Sequence, residues 1–169
     1  MLRYKDLIEE EKLLKSGYKK FLQEKAFYFK IVLCQNGLSS SYYIVMIYLL
    51  ERIKISNYSI VFQIQKACEE IIVNDSRKTN LIDASVFTII NLSRGIAFIP
   101  DIRIINLAKI KLKKLKGISP KGIALILPRK FSKAKLFLKT VIKILAKDEK
   151  IYVVALEGEA LKIAKKNLA

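Results

Sequence analysis

The chain has no histidine among its 169 residues. Histidine is the usual general base near neutral pH and the commonest metal ligand in proteins. Its absence excludes zinc enzymes and serine–histidine–aspartate hydrolases, so any catalysis must come from Glu, Asp, Lys, Tyr or Cys. Cysteine is also scarce: Cys34 and Cys68 lack the spacing of a metal site. We expect two buried thiols in a reducing cytosol, with a disulfide as the alternative.

Acidic residues are few: 15 Asp and Glu stand against 32 Lys and Arg, which gives a net charge of +17. Between Arg103 and Lys147 there is no acidic residue at all. Four lysines recur every four residues, which places them on one face of a helix, namely Lys135, Lys139, Lys143 and Lys147. Such a face would attract an anionic partner, which can be nucleic acid, a phosphate, a membrane surface or an acidic protein. The alternative is compositional, because Lys and Ile are abundant throughout the chain, as in hyperthermophile proteins.

No segment has the length and apolarity of a membrane span. The uncharged stretch from Ile31 to Leu50 comes nearest, but Gln35, Asn36 and three serines in its middle would be costly in lipid. The first residues are acidic and lack the apolar core of a signal peptide. We therefore expect a cytoplasmic protein with no membrane partner.

Strand-like apolar runs alternate with helical patterns along the chain. The predicted strands are Phe29–Cys34, Tyr58–Ile64, Val86–Leu92, Gly122–Leu127 and Ile151–Leu156. The predicted helices are a leader over residues 4–24 and then Ser41–Lys54, Gln65–Ile72, Asp101–Lys116, Ser132–Lys147 and Glu157–Asn167. This alternation indicates βαβ units and a mostly parallel sheet covered on both faces. We expect one α/β domain over residues 1–169, a three-layer, doubly wound, flavodoxin-like fold with five strands and an N-terminal leader helix.

In such a sheet the ligand binds beyond the carboxyl ends of the strands, where the strand order reverses. Three predicted strands are followed there by polar or glycine residues: Gly37, Ser39, Ser40 and Ser41 after the first, Ser93 and Arg94 after the third, Glu157 and Glu159 after the fifth. A Gly/Ser turn that meets a helix N-terminus is a common phosphate site, although a serine there can also simply cap the helix. The two glutamates have a structural alternative too, because acids in the first turn of a helix offset its dipole.

Two motifs are similar to those of a known family. The first is QNGLSSSYYIVMIYLLER at residues 35–52, which resembles a strand ending in a Gly-x-Gly-Thr-Ser turn and a helix ending in Tyr-Leu-Leu-Glu. The second is TIINLSRG followed by RIINLAK, which resembles a third strand entering Ser-x-Ser-Gly and a helix with Leu-Ala-Lys. Both are typical of the sugar isomerase (SIS) domain family, which binds phosphosugars. Gly37, Ser39 and Ser93 fall on family positions, whereas Gln35 and Leu38 replace a glycine and a threonine.

The resemblance implies a site for a phosphorylated sugar or sugar derivative, and a homodimer. The residues it implicates in binding are Gly37, Ser39 and Ser93, with Ser40, Ser41 and Arg94 beside them. It also implies an aldose–ketose isomerase or an aminotransferase–isomerase domain, with Glu157 or Glu159 as the family's catalytic glutamate. The family's ring-opening histidine is missing, which argues against catalysis and leaves two readings, a divergent isomerase and a non-catalytic binding module. No cofactor or metal is expected. The alternative function is a nucleic-acid-associated basic protein that uses the Arg103–Lys147 surface.

Overall fold

A computed structural model describes residues 10–168 except 22–23, 37–39, 51–57, 79–82, 95–105, 107, 111, 113–115, 128–129, 131, 146 and 148. The strands are β1 (Glu10–Phe21), β2 (Glu24–Asn36), β3 (Ser40–Leu49), β4 (Ala84–Asn91), β5 (Ile118–Ile126) and β6 (Ile151–Val154). The helices are α1 (Tyr58–Lys78), α2 (Ser132–Leu145) and α3 (Glu157–Leu168). Residues 106 and 108–110, between β4 and β5, are also helical. None of these helices is long and apolar enough to cross a membrane.

The six strands form one mixed sheet in the order β1-β2-β3-β4-β5-β6. β1, β2 and β3 are an antiparallel meander, whereas β3, β4, β5 and β6 are parallel neighbours. The fold is therefore α/β with a mostly parallel sheet, as the sequence predicted, but with six strands rather than five. Strand order follows chain order among the described strands, so the reversal of order at which the sequence placed a ligand is not found among them.

Two apolar clusters cover the two faces of the sheet. Side chains alternate between the faces of a strand, and along β3 one set, Tyr43, Val45 and Ile47, belongs to one cluster while Tyr42, Ile44 and Met46 belong to the other. The first cluster includes residues of α1 and α2, and the second includes Ala160 and Ala164 of α3. Successive right-handed crossovers that advance in one direction place their helices on the same face, which explains why α1 and α2 share a cluster.

The N-terminal segment differs from its prediction, because Glu10–Phe21 is strand β1 instead of a leader helix. Apolar spacing favoured a helix here, but Ser16 and Gly17 weaken a helix interior. Pairing with the long β2 supplies the backbone hydrogen bonds of this segment instead. The non-local partner overrides the local pattern.

The segment after the first Gly/Ser turn also differs. The predicted helix Ser41–Lys54 is wrong over its described part, which is strand β3. Tyr42–Ile47 is buried at every position, so its apolar run fits a buried helix and a two-sided strand equally well. Conversely, the predicted strand Tyr58–Ile64 is the first part of α1, whose Ile64, Cys68 and Ile72 form a buried helical stripe.

The remaining predicted elements overlap observed ones wherever the structure describes them, and the predicted helix Gln65–Ile72 lies inside the longer α1. Most of the predicted helix Asp101–Lys116 lies outside the described residues. Phe29–Cys34 lies inside β2, and the last three predicted strands match β4, β5 and β6. Helices α2 and α3 also begin at the predicted residues. Cys34 and Cys68 are both buried thiols, as expected, and they lie in different core clusters.

Candidate functional site

A cavity of about 420 Å³ lies at the carboxyl ends of the parallel strands. It is lined by Tyr28, Tyr48, Leu49, Leu50, Asn91, Ser93, Arg94 and Glu157. We call it the carboxyl-end cavity. Tyr48 and Asn91 are register partners near the ends of β3 and β4, and Glu157 begins α3 directly after β6. The parallel direction of these strands is what brings the three chain segments together.

Glu157 is the centre of a polar network in this cavity. The Tyr48 hydroxyl donates to Glu157 Oε1 at 3.0 Å, and Asn91 Nδ2 donates to Oε2 at 3.5 Å. The Asn91 side chain also accepts a hydrogen bond from the Ser93 backbone N–H at 3.0 Å. Asn91 therefore ties the turn after β4 to the first residue of α3, and the orientation of the carboxylate is fixed from two sides.

Tyr48 stays protonated in this environment. Burial raises its pKa above the ordinary value, and the negative charge of Glu157 and the hydrogen bond to it act in the same direction, as does Tyr28. A phenol with a raised pKa is a hydrogen-bond donor and a poor base. The Tyr48–Glu157 pair thus offers a fixed carboxylate with free lone pairs rather than a proton shuttle.

Two tyrosine rings form the wall of the cavity on the β2–β3 side. Tyr28 and Tyr48 are directly opposite each other in the antiparallel register, with ring centroids 5.8 Å apart and planes inclined by 39°. Lys30 Nζ lies 5.8 Å from the centroid of the Tyr48 ring, within the range of a cation–π interaction. Leu49 and Leu50 continue the apolar part of the lining.

The charged groups of the cavity are of opposite sign. Among the described residues that line it, Arg94 is the single cation and Glu157 the single carboxylate. Ser93 and Arg94 are exposed, whereas Glu157 is half-buried. An arginine can hold a phosphate through paired N–H donors, and a carboxylate accepts hydrogen bonds from hydroxyl groups. The lining therefore suits a ligand with both a phosphate and hydroxyl groups.

Three of the residues predicted from the sequence meet in this cavity: Ser93, Arg94 and Glu157. Glu159 does not, because it is exposed and lines a separate groove with residues of α2 and β6. The two glutamates predicted as catalytic candidates therefore lie in different places, Glu157 in the carboxyl-end cavity and Glu159 in this groove. Its position in the first turn of α3 is explained by the helix dipole.

The described serines of the predicted turn, Ser40 and Ser41, lie at the other end of the sheet. Ser40 and Ser41 begin β3, and the neighbouring Tyr42 pairs with Ser85 at the start of β4. Because Tyr42 and Tyr48 are six residues apart on an extended strand, about 20 Å separates the two ends. Ser40 and Ser41 are therefore too far from Ser93 to share a ligand with it. The predicted phosphate site also requires a helix N-terminus after the turn, whereas the segment that begins at Ser40 is strand β3. Gly37 and Ser39 lie outside the described residues.

Sequence reasoning missed Tyr28, Tyr48 and Asn91. Asn91 ends a correctly predicted strand two residues before Ser93, and this position could have indicated that it belongs to the same site. Tyr48 was assigned to a helix and Tyr28 preceded the predicted first strand, which hid their pairing across β2 and β3.

The lysine-rich helix α2 forms a second surface. In the predicted four-lysine face, Lys139, Lys143 and Lys147 are exposed, whereas Lys135 is half-buried. Three large apolar side chains stand among these lysines, namely Leu136, Phe137 and Ile144 at 68%, 57% and 72% exposure. A surface that contacts only phosphates has no use for such side chains, so the face is less basic in character than its sequence suggests.

No family model, curated protein or solved structure matches this chain. Within the described part of the chain, no cluster of three or more Cys, Asp and Glu side chains is arranged to hold a metal ion.

Proposed function

We propose that the protein binds a phosphorylated sugar or sugar derivative in the carboxyl-end cavity. The observation that carries the proposal is that Arg94, Ser93 and Glu157, from two separate chain segments, line one cavity. Arg94 and the Ser93 hydroxyl suit a phosphate, and Glu157 with Asn91 suits sugar hydroxyl groups. The volume is within the usual range of small-ligand sites.

A divergent relationship to the SIS domains is part of the same proposal. Its support is the second motif, because β4 runs into Ser93 as the family's third strand runs into its serine. A three-layer arrangement also belongs to the proposal, supported by helix residues in both core clusters. The homodimer implied by the resemblance and a cytoplasmic location are further parts of the proposal. Nucleic-acid association through the Arg103–Lys147 surface has less support, given the apolar side chains exposed on α2.

Arg94→Gln is expected to weaken the binding of glucose 6-phosphate or ribose 5-phosphate by about tenfold or more, because hydrogen bonds to charged groups contribute roughly 1.5–3 kcal/mol. Isothermal titration with each sugar phosphate measures the change. Arg77→Gln is the matched control, since Arg77 is exposed in the last turn of α1, outside the cavity lining, and its loss changes the net charge equally. Equal weakening by both variants would show a general charge effect and contradict the site.

We expect negligible turnover of fructose 6-phosphate or glucose 6-phosphate, even where one of them binds. Isomerisation needs a base that moves a proton and an acid that opens the ring. The chain has no histidine, Glu157 is held by Tyr48 and Asn91, and Tyr48 is a poor base. A coupled isomerase assay that gives a kcat of order 1 s⁻¹ or more, lost in Glu157→Gln, would establish an enzyme instead.

A further inference from the structure

The tyrosine pair of the carboxyl-end cavity is more than a phosphosugar requires. Tyr28 and Tyr48 stand side by side on β2 and β3, and the Tyr48 ring is fixed by its hydrogen bond to Glu157. Leu49 and Leu50 extend the same apolar and aromatic lining. A sugar phosphate has polar groups over most of its surface. With its phosphate at Arg94 and its hydroxyl groups at Glu157, a sugar phosphate has only its C–H groups left to contact Tyr28, Leu49 and Leu50.

A flat aromatic base would match the tyrosine side of the cavity. Bases stack on aromatic side chains, and stacking is tolerant of sequence because every base has a π-face. Both tyrosines are half-buried, so they are ordered by their neighbours yet still reach the cavity. Lys30 beside the Tyr48 ring adds positive charge on this side, and the net charge of +17 attracts anionic ligands in general.

The polar groups fit the rest of a nucleotide. Glu157 can accept hydrogen bonds from ribose hydroxyls, as an acidic residue does in dinucleotide-binding folds. Arg94 and Ser93 remain available for the phosphate, as in the proposed function on which this inference rests. We infer that the ligand is a nucleotide, with its phosphate at Arg94, its ribose at Glu157 and its base against Tyr28 and Tyr48.

The decisive comparison is between ribose 5-phosphate and AMP, which carries the base in place of the anomeric hydroxyl. Isothermal titration of the full chain is expected to give AMP an affinity about tenfold or more above that of ribose 5-phosphate. Adenosine, which lacks the phosphate, is expected to bind more weakly than AMP. Equal affinities for ribose 5-phosphate and AMP would overturn the nucleotide inference and leave the proposed function standing. Adenosine binding as tightly as AMP would overturn phosphate recognition, and with it the proposed function.

A second comparison identifies the stacking residue. Tyr28→Leu keeps an apolar side chain but removes the ring, so it is expected to weaken the binding of AMP more than that of ribose 5-phosphate and thereby to abolish the advantage of AMP. Tyr28→Phe keeps the ring and the advantage. Phe137→Leu is the matched control, because Phe137 is exposed on α2, outside the cavity lining. Circular dichroism melts establish that each variant is folded. An unchanged preference for AMP in a folded Tyr28→Leu protein would overturn the inference.

A 5′-phosphorylated oligonucleotide distinguishes the two sources of such a ligand. Tighter binding than AMP would identify the end of a single strand as the source, because the flanking phosphates add contacts with a basic protein. Equal or weaker binding would identify a free nucleotide. Either result upholds the nucleotide inference, provided that AMP exceeds ribose 5-phosphate.

Discussion

Gly122→Ala is expected to lower the free energy of unfolding by about 2–4 kcal/mol, the sum of overpacking and backbone strain. A Cβ at this position would lie 2.5 Å from Phe87 Cε2 and 3.0 Å from the Lys150 carbonyl oxygen. The φ of +155° is also one that residues with a side chain rarely adopt. Phe87 is fully buried, so its ring cannot move aside without disturbing the core.

The local geometry explains why glycine is required there. The β4–β5 register shifts between Val86 and Phe87, which pair with Pro120 and Gly122, so Lys121 is the extra residue of a bulge. The Phe87 ring lies over Gly122 and reaches Tyr152 on β6, with ring centroids 6.2 Å apart. An aromatic ring over a strand glycine fills the space that a missing side chain leaves.

Gly158→Ala is the matched control for this prediction. Gly158 is exposed in the first turn of α3, and a Cβ there would meet nothing within 4 Å. Its replacement is expected to leave the stability unchanged or to raise it by up to about 1 kcal/mol. Urea denaturation of both variants measures the difference. Equal stabilities of the two variants would contradict the packing argument at Gly122.

The elements that could be predicted from the sequence have clear boundaries in the chain. Strand β6 and helix α3 are examples, because a short apolar run gives way at Glu157 to a pattern with an acidic start and a basic end. Strand β3 could not be distinguished from a helix, since Tyr42–Ile47 is buried on both faces and fits either period. Its pairing with β2 and β4, which decides the matter, is non-local.

In the candidate site, too, some residues could be predicted from the chain and others depend on non-local strand pairing. Ser93, Arg94 and Glu157 could be predicted because they follow β4 and β6, which are parallel and direct their carboxyl ends to one edge. Ser41 could not be placed correctly, because β2 is antiparallel to β3, which puts the carboxyl end of β2 at the amino-terminal edge of the parallel strands. Tyr28 could not be found without that antiparallel pairing, which sets it opposite Tyr48.

The protein is expected to lose stability steeply as the pH rises above 10. The Tyr43 hydroxyl donates to Asp75 Oδ2 at 3.0 Å, and Tyr48 donates to Glu157. Burial raises the pKa of both phenols, and the neighbouring carboxylates raise it further. The folded state then keeps two protons that the unfolded chain releases near pH 10. The stabilisation is complete below that pH and falls by about 1.4 kcal/mol per pH unit per tyrosine between the unfolded and folded pKa values.

A double variant, Tyr43→Phe with Tyr48→Phe, separates the effect of tyrosine ionisation on stability from that of lysine ionisation. Lysine ionisation affects the variant and the unchanged protein alike. At pH 8 the variant is expected to be less stable by about 1–3 kcal/mol, because two hydrogen bonds are lost and two carboxylates lose a donor. Above pH 10 the difference should change by about 2–3 kcal/mol per pH unit in favour of the variant, since phenylalanine has no proton to lose, and the two curves should therefore cross before about pH 11.5. Urea denaturation at half-unit steps from pH 8 to pH 11.5 measures both curves. Parallel curves over that range would show that neither phenol is held in its neutral form by the fold, and that the donor role assigned to Tyr48 in the carboxyl-end cavity is wrong.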